Sequence, residues 1–302
     1  MLTNEQIQKY EQEGYLVIEN FINLEECEKL KTAIREIIDD WEPDADYSWL
    51  HSDNETKQRI QQRRMIDSGD IISFAIEDDA VDPNTGKLNR DKHLSISRIG
   101  HALHILNPCF KEFTYSDKIK AIGRDLHFIK PAIRQSMYMF KQPFIGGKIP
   151  PHRDSAYVFN EPFKVVGLWI ALEDATIENG CLWFIPKSNL ESTKRHYIRN
   201  PNEQEFKEGK LLVSIGEEHY DEESFVPVEV KAGACVLLHG EVVHKSESNK
   251  SHNSRQIYAL HLFETHNSEY GKANWLQLST PFPLLYDDSP TSNTQKDEHT
   301  NS

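Results

Sequence analysis

Apolar positions near the amino terminus recur with a helical period, which one short apolar run interrupts. Thr3 can cap a first helix with Gln6 reaching back to it, and Gly14 can end that helix. Residues 15–21, YLVIENF, then predict a short strand, and a second helix follows Asn23. Its apolar stripe consists of Cys27, Leu30, Ile34, Ile37 and Trp41, spaced three and four residues apart. This stripe predicts a helix with one face packed on the protein core.

The pattern changes from about residue 95 onward, where short apolar runs are separated by glycine, proline and asparagine. Five runs have strand length and are rich in β-branched or aromatic residues. They are IRQSMYMF (133–140), VVGLWIAL (165–172), CLWFIP (181–186), ACVLLHG (234–240) and QIYALHLF (256–263). Many short strands separated by turn signals predict a sandwich or barrel, and they argue against a parallel sheet with crossover helices.

Polar segments interrupt this pattern in three places. Residues 42–93 are charged and predict irregular structure, with DPNTGK (82–87) as a turn. Residues 198–225 predict a polar insertion between strands, and the segment from about residue 287 predicts a disordered tail because serine, threonine, asparagine and aspartate dominate it.

Composition and charge limit the classes of partner. The chain has 302 residues, of which 38% are hydrophobic and 27% charged, as in soluble globular proteins. Its formal charge of -14 opposes nucleic acid and acidic membrane surfaces. The four cysteines lie far apart without a C-x-x-C pair, which argues against a zinc knuckle or disulfide framework. We find no secretory, mitochondrial or peroxisomal signal and no apolar run of about 18 residues, so we expect a cytosolic protein.

The segment PPHRDSAYVF (150–159) contains the main candidate chemistry. In an extended segment, residues i and i+2 point the same way, so His152 and Asp154 present an imidazole and a carboxylate on one face. The later segment LLHGEVVHKS contains His239 and His244 as sources of a third ligand. Two histidines and one carboxylate are typical of non-haem Fe(II) oxygenases. An H-x-D tripeptide is also common at a solvated strand end, so the tripeptide alone leaves both interpretations open.

Arg255 opens the last of the five apolar runs. Strand alternation places Arg255 on the same face as Ile257, Ala259 and His261. If that face is inward, the guanidinium needs an anion, and its planar fork suits a carboxylate. If the face is outward, Arg255 can pair with one of the chain's many acidic side chains.

Two long segments carry a resemblance to a known family. They are QSMYMFKQPFIGGKIPPHRDSAYVFNEPFKVVGLWIALEDATIENGCLWFIPKSNL (135–190) and LLHGEVVHKSESNKSHNSRQIYALHLFE (237–264). Together they closely resemble the phytanoyl-CoA dioxygenase family of Fe(II)- and 2-oxoglutarate-dependent oxygenases. The resemblance also includes RIGHALH (98–104) and runs from residue 3 to residue 286.

The resemblance implies a fold and a domain arrangement. The fold is mainly β (α+β), a double-stranded β-helix of the cupin-like jelly-roll type with flanking N-terminal helices. Residues 1–286 would form one domain, with residues 1–41 as the N-terminal helices and strand and with 42–93 and 198–225 as polar insertions. Residues 287–302 would form the disordered tail.

The resemblance also assigns residues by position. It makes His152, Asp154 and His244 the iron ligands, with no catalytic residue beyond them, and leaves His239 a supporting or core role. It assigns Arg255 to the far carboxylate of 2-oxoglutarate. Arg98, Met137 and Trp169 fall at positions that line the co-substrate pocket in similar proteins. Lys187 and Asn189, in IPKSNL, replace the family's commoner glycine and histidine, and this departure affects the local turn and the expected substrate contacts.

The implied reaction is the hydroxylation of a small or medium organic substrate by O2, with 2-oxoglutarate converted to succinate and CO2. Ascorbate is expected to support activity, and we expect a monomer. Two alternatives stay open at this point. One is a phytanoyl-CoA-type acyl-CoA 2-hydroxylase, and the other is a non-catalytic protein of the same fold that binds metal or 2-oxoglutarate.

Overall fold

The computed structural model describes residues 1–43 and 48–290. Its α-helices are α1 (Asn4–Glu13), α2 (Leu24–Asp39), α3 (Asn54–Ile66), α4 (Leu103–Leu106), α5 (Pro108–Thr114), α6 (Asp117–Asp125) and α7 (Glu203–Lys207). Its first strands are β1 (Tyr15–Ile18), β2 (Ile72–Ile76), β3 (Ile96–His101), β4 (Pro131–Lys141), β5 (Ile149–His152), β6 (Asn160–Glu161), β7 (Val165–Ala171) and β8 (Leu182–Phe184). The remaining strands are β9 (His196–Arg199), β10 (Leu212–Ile215), β11 (Val226–Val228), β12 (Cys235–His239), β13 (His244–Ser246), β14 (Arg255–Glu264) and β15 (Glu269–Tyr270).

Local capping chemistry sets the ends of the first helix, as predicted. The hydroxyl of Thr3 accepts from the Gln6 amide at 3.2 Å, and the Gln6 side chain accepts from the Thr3 amide at 2.9 Å. Gly14 ends α1 with φ of 82°, a left-handed conformation that glycine adopts without steric cost. The buried face of α2 consists of Cys27, Leu30, Ala33, Ile34 and Ile38, whereas Ile37 and Trp41 are only partly buried at its border.

Two antiparallel sheets form the body of the protein. A seven-stranded sheet has the order β1-β12-β7-β14-β4-β3-β2, and a four-stranded sheet has the order β11-β8-β13-β5. The sheets face each other across an apolar layer in which Trp169 and Ala259 of the large sheet meet Phe184 of the small one. The other face of the large sheet is covered by α2, α5 and α6, whose apolar side chains pack around Tyr138 and Tyr258. This arrangement is the double-stranded β-helix with flanking helices, which confirms the predicted fold.

The segment of residues 42–93 is more regular than predicted, because it contains α3 and β2. The sequence of α3, NETKQRIQQRRMI, has no apolar stripe that could indicate a helix. Its buried residue is instead Gln62, whose side-chain oxygen accepts from the backbone amides of Leu211 and Leu212 at 2.9 and 3.0 Å. The second insertion therefore packs on the first. The turn in DPNTGK is confirmed by the 2.9 Å hydrogen bond from the Gly86 amide to the Asp82 carbonyl.

The carboxyl-terminal segment is partly ordered where the sequence predicts disorder. Asp287 lies 2.8 Å from Lys130, and Asp288 lies 2.8 Å from Arg124. The predicted tail boundary at 287 is therefore too early, because surface cations capture these two carboxylates. Residues 291–302 lie outside the described residues. None of the helices in the described ranges has the length and apolar content needed to span a bilayer.

Candidate active site

Strand pairing brings His152 and His244 together. The two residues lie directly opposite each other in the antiparallel pair of β5 and β13, and their ring centroids are 4.2 Å apart. Arg153 continues the extended backbone beyond β5 with φ of -108° and ψ of 143°. Asp154 therefore points to the same side as His152, as the alternation predicted, and then begins a tight turn.

The three side chains form a compact set of metal-ligand atoms. One ligand atom from each of His152, Asp154 and His244 lies within 4.8 Å of the others. The Oδ1 atom of Asp154 is 3.9 Å from the Nε2 atom of each histidine. Each ring turns its Nδ1 to a backbone carbonyl, that of Pro150 at 2.9 Å for His152 and that of Val242 at 3.1 Å for His244. Because a carbonyl only accepts, each Nδ1 carries the proton and each Nε2 presents a lone pair to the centre.

The protonation states suit metal binding. Burial, followed by the neighbouring His152, lowers the pKa of His244 to about 4, so its imidazole is neutral at neutral pH. Burial alone would raise the pKa of Asp154, but His261, His244 and His152 outweigh it and hold that pKa well below its ordinary range. At neutral pH Asp154 is therefore a carboxylate and His244 a neutral imidazole, which are the ligating forms of these two groups.

Arg153 points away from the ligands and anchors the segment that carries them. Its guanidinium lies 3.2 Å from the carboxylate of Glu218, and both side chains are about 6% exposed. It also donates to the carbonyls of Ser188, Glu191 and Glu241. These bonds hold the backbone between His152 and Asp154 from the side opposite to the ligands.

His239 does not join the ligand set. Its Nδ1 accepts from the Glu241 amide at 3.1 Å, and its ring lies against Tyr10 and Phe163. Burial, followed by the nearby Arg153, lowers the pKa of His239 to about 4. His239 is thus a neutral packing residue, whereas His244 faces His152 and Asp154.

A cavity of about 390 Å³ opens onto the three ligand atoms. Its walls include Arg98, Met137 and Trp169, the residues predicted to line the co-substrate pocket. The guanidinium of Arg98 makes no hydrogen bond or ion pair within residues 1–43 and 48–290, and burial lowers its pKa. The structure therefore brings all three side chains to the same cavity as the metal-ligand group.

Arg255 adjoins this cavity from the inner face of the large sheet. It is 1% exposed, and its guanidinium carbon lies 5.5 Å from the centre of the Trp169 ring. Its Nε and Nη1 atoms are buried and have no hydrogen-bond partner among the residues that the structure describes, and burial lowers its pKa to about 10. The structure thus selects the inward interpretation of Arg255. A buried guanidinium with unused donors is a site that an anion would complete.

Lys141 is a second cation at this place that the sequence analysis did not single out. It pairs with Arg255 in the register of β4 and β14, is 1% exposed, and donates from Nζ to the Gly147 carbonyl at 2.5 Å. Burial, followed by Arg255, lowers its pKa to about 7. Alternation in SMYMFK places Lys141 on the face of Met137 and Met139, a signal that could have identified it.

Lys187 and Asn189 contact helix α1 and do not line the cavity. Lys187 adopts φ of 66°, the left-handed conformation that favours glycine, and its amide donates to the Glu13 carbonyl at 3.0 Å. Asn189 donates from its side chain to the Glu11 carbonyl at 2.8 Å. With lysine and asparagine at these positions, the turn still forms and is hydrogen-bonded to the N-terminal helix.

Relatives of known name cover nearly the whole chain. The chain is 42% identical over 293 residues to phytanoyl-CoA dioxygenase domain-containing protein 1 of Danio rerio, which covers 95% of this chain and 99% of that protein. It is 38% identical to a phytanoyl-CoA dioxygenase of Arabidopsis thaliana, with 94% and 96% of the two chains covered.

The fold matches that of a solved non-heme alpha ketoglutarate dependent enzyme. A crystal structure of the epimerase SnoN in complex with Fe3+, alpha ketoglutarate and nogalamycin RO superimposes with a TM-score of 0.61 at 14% identity, covering 93% of this chain and 98% of that one. The family model described as phytanoyl-CoA dioxygenase (PhyH) matches residues 10–257. The chain described here therefore belongs to the phytanoyl-CoA dioxygenase family.

Proposed function

We propose that this protein is an Fe(II)- and 2-oxoglutarate-dependent dioxygenase that hydroxylates a small or medium organic substrate. In this proposal His152, Asp154 and His244 hold the iron, and no other residue is needed as a chemical catalyst. Bound Fe(II) and 2-oxoglutarate would supply the oxidation, in which one oxygen atom of O2 enters a substrate C–H bond and the other enters succinate as CO2 leaves.

The observation that carries this proposal is the buried guanidinium of Arg255 next to Trp169 of the cavity wall, with two nitrogen atoms that have no hydrogen-bond partner in the described part of the chain. A metal site alone fits many proteins, but a dicarboxylate co-substrate also requires a cation at a distance from the metal. Arg255 can bind the far carboxylate through its planar fork, and Lys141 adds a second positive charge next to it. The donor set of two nitrogen atoms and one oxygen atom fits Fe(II) in the same cavity.

The first insertion is the proposed wall of the substrate pocket. A second cavity of about 200 Å³ adjoins the first, and the two share Arg98. Its lining mixes polar and aromatic side chains from 42–93, including Trp49, Ser73 and Phe74. This mixture favours a compact, fairly polar substrate, which we expect to be a cytosolic compound.

A branched acyl-CoA is the second candidate substrate. It is favoured by the 38% identity to the Arabidopsis protein named phytanoyl-CoA dioxygenase. The formal charge of -14 disfavours it, because CoA carries about four negative charges at neutral pH.

Co-substrate turnover tests the proposal without knowledge of the substrate. The full chain is incubated with Fe(II), ascorbate and labelled 2-oxoglutarate, and labelled succinate is measured. We expect slow succinate formation by the wild type and none by Asp154→Ala or His244→Ala, since each variant removes a ligand. His239→Ala is the matched control and should retain most of the activity and of the Fe(II) affinity.

Two results would contradict the proposal. If the Asp154→Ala and His244→Ala variants both retain wild-type Fe(II) binding and succinate formation, the metal assignment is wrong. If the wild type binds Fe(II) and 2-oxoglutarate but forms no succinate with any candidate substrate, the non-catalytic binding protein is the better description.

A further inference from the structure

We infer that His261 is a positioning residue, which holds Asp154 so that one carboxylate oxygen faces the metal and the other is kept away from it. This inference rests on the proposed function, because it concerns how the same site presents its ligands. Strand alternation in the sequence puts His261 on the same face as Arg255 but indicates no role for it.

The two oxygens of Asp154 have different surroundings. Oδ2 lies 3.1 Å from Nε2 of His261, while Oδ1 lies 3.9 Å from Nε2 of both His152 and His244. His261 is 8% exposed and Asp154 is 9% exposed, so water does not replace this bond easily. One oxygen of the carboxylate therefore faces His152 and His244, and the other faces His261.

A chain of side chains determines which nitrogen of His261 carries the proton. Nη1 of Arg134, which can only donate, lies 2.6 Å from Oε1 of Gln135. The amide group of Gln135 is therefore turned so that its Nε2 faces Nδ1 of His261 at 3.2 Å. Because that amide nitrogen is a donor, Nδ1 must accept, and the ring proton must lie on Nε2. His261 consequently donates to Asp154.

The start of this chain is itself fixed in place. Arg134 is 2% exposed and donates to the Tyr270 hydroxyl and the Tyr157 carbonyl, each at 3.0 Å. Its guanidinium also lies 4.9 Å from the centre of the Trp275 ring. The direction of donation from Arg134 to Asp154 is therefore built into packed side chains.

Gly167 leaves room for the contact. It pairs with His261 in the register of β7 and β14. A Cβ atom at residue 167 would lie 3.2 Å from Oδ2 of Asp154 and 3.6 Å from Nε2 of His261. A side chain at this position would crowd the carboxylate oxygen that His261 holds.

The consequence is a carboxylate that offers the metal one oxygen. Without the donor, Asp154 could turn and offer both oxygens, and a second oxygen would occupy a coordination position that the co-substrate needs. Groups that hydrogen-bond to metal ligands commonly change metal affinity or activity by roughly 10- to 100-fold. Losing His261 should therefore change the geometry of the metal as well as its affinity.

The test uses Co(II), which reports on geometry through its visible absorption. Full-length wild type, His261→Leu and His261→Gln are freed of metal and titrated with Co(II). Glutamine can place its Nε2 near that of histidine, so His261→Gln keeps the donor, whereas His261→Leu removes it. His104→Leu is the matched control, because His104 is likewise a buried histidine but pairs with Ser136 rather than with Asp154.

We expect His261→Leu to lose roughly 10- to 100-fold in Co(II) affinity and to give an altered spectrum. His261→Gln should recover most of the affinity and the wild-type spectrum, and His104→Leu should match the wild type. The inference is overturned if His261→Leu has wild-type affinity and spectrum. It is also overturned if His261→Gln is impaired as much as His261→Leu, because the donor would then not matter.

A second variant keeps the test decisive if His261→Leu does not fold. Gln135→Met leaves His261 in place but removes the group that determines its proton position. We expect weaker Co(II) binding and an altered spectrum, and unchanged values would overturn the inference. Failure of the wild type to bind Co(II), or binding that Asp154→Ala leaves unchanged, would instead refute the proposed metal site itself.

Discussion

The role of each histidine near Asp154 depends on which ring nitrogen faces the site. His152 and His244 turn Nδ1 to backbone carbonyls and thereby offer Nε2 as a lone pair. His261 has the same Nε2 facing Asp154, but Gln135 donates to its Nδ1 and so places the proton on Nε2. Identical side chains are therefore suited to ligate a metal in one case and to donate a hydrogen bond in the other, because their second nitrogen atoms have different partners.

Arg255 is expected to determine the affinity for 2-oxoglutarate. Replacing Arg255 by alanine removes a charge-assisted bidentate pair in a buried site, which should cost about 2–5 kcal/mol, or roughly 30- to several-thousand-fold in Kd. Arg255→Lys should recover only part of this loss, because an ammonium group cannot present a fork. Calorimetric titration of the metal-loaded protein with 2-oxoglutarate measures the change. An unchanged Kd in Arg255→Ala would remove Arg255 from the co-substrate site.

Lys141 should make co-substrate binding depend on pH. Burial and Arg255 lower its pKa to about 7, so the free protein loses this charge as the pH rises through 7. A dianion prefers the protonated lysine, and binding near and above pH 7 should therefore take up a proton and weaken as the pH increases. Titrations between pH 6 and 8.5 in buffers of different ionisation enthalpy measure both effects.

Lys141→Met serves as the control for this pH dependence. Its affinity should be lower at pH 6, and the proton uptake assigned to Lys141 should be absent. An equal proton uptake by the variant would show that another group titrates.

At the level of elements, two insertions complete a site that the strands begin. β5 and β13 bring His152 and His244 face to face. The second insertion then supplies Glu218, which pairs with Arg153, the residue between His152 and Asp154. The first insertion forms the neighbouring cavity through α3 and β2. The insertions are thus connected to the ligand segment by a buried ion pair and to each other through Gln62.

Loss of Glu218 should destabilise this connection. Glu218→Ala leaves the guanidinium of Arg153 buried without its counter-charge, which should lower the free energy of unfolding by about 3 kcal/mol. Glu218→Gln should lose less, because it still accepts a hydrogen bond. The neighbouring Glu217, whose side chain is 88% exposed, provides the matched control Glu217→Ala. Urea denaturation measures the differences, and equal stabilities of the Glu217→Ala and Glu218→Ala variants would contradict a structural role for this ion pair.

For the molecule as a whole, three cations close to the cavity contrast with a negative net charge. The formal charge is -14, yet Arg98, Lys141 and Arg255 meet at or beside the cavity. Small anions can be drawn to these cations once they are within a Debye length of about 8 Å at physiological salt. A large polyanion remains partly in the repulsive field of the surface.

Phytanoyl-CoA should accordingly be hydroxylated poorly or not at all. The measurement is formation of the 2-hydroxy product at micromolar phytanoyl-CoA and physiological salt, compared with succinate formed in its absence. If repulsion is the reason, added salt should increase the small amount of product. Robust stoichiometric conversion would overturn the prediction and favour the acyl-CoA hydroxylase, while leaving the dioxygenase proposal intact.

Local geometry determined what could be predicted from the sequence. The caps at Thr3 and Gly14, the five strands and the common face of His152 and Asp154 follow from hydrogen bonds and alternation within a few residues of chain. The polar helix α3 escaped prediction because its sequence lacks an apolar stripe, and its buried Gln62 bonds to a segment 149 residues away.

The tertiary structure alone decided which of these side chains meet. Opposed pairing of β5 and β13 selects His244, not His239, to face His152. The packing of two sheets turns Arg255 inward, and strand register sets Lys141 beside it. The bond from His261 to Asp154 joins residues 107 positions apart. The physical reason is that alternation specifies the face of a strand on which a side chain lies, whereas register and burial depend on strands from distant parts of the chain.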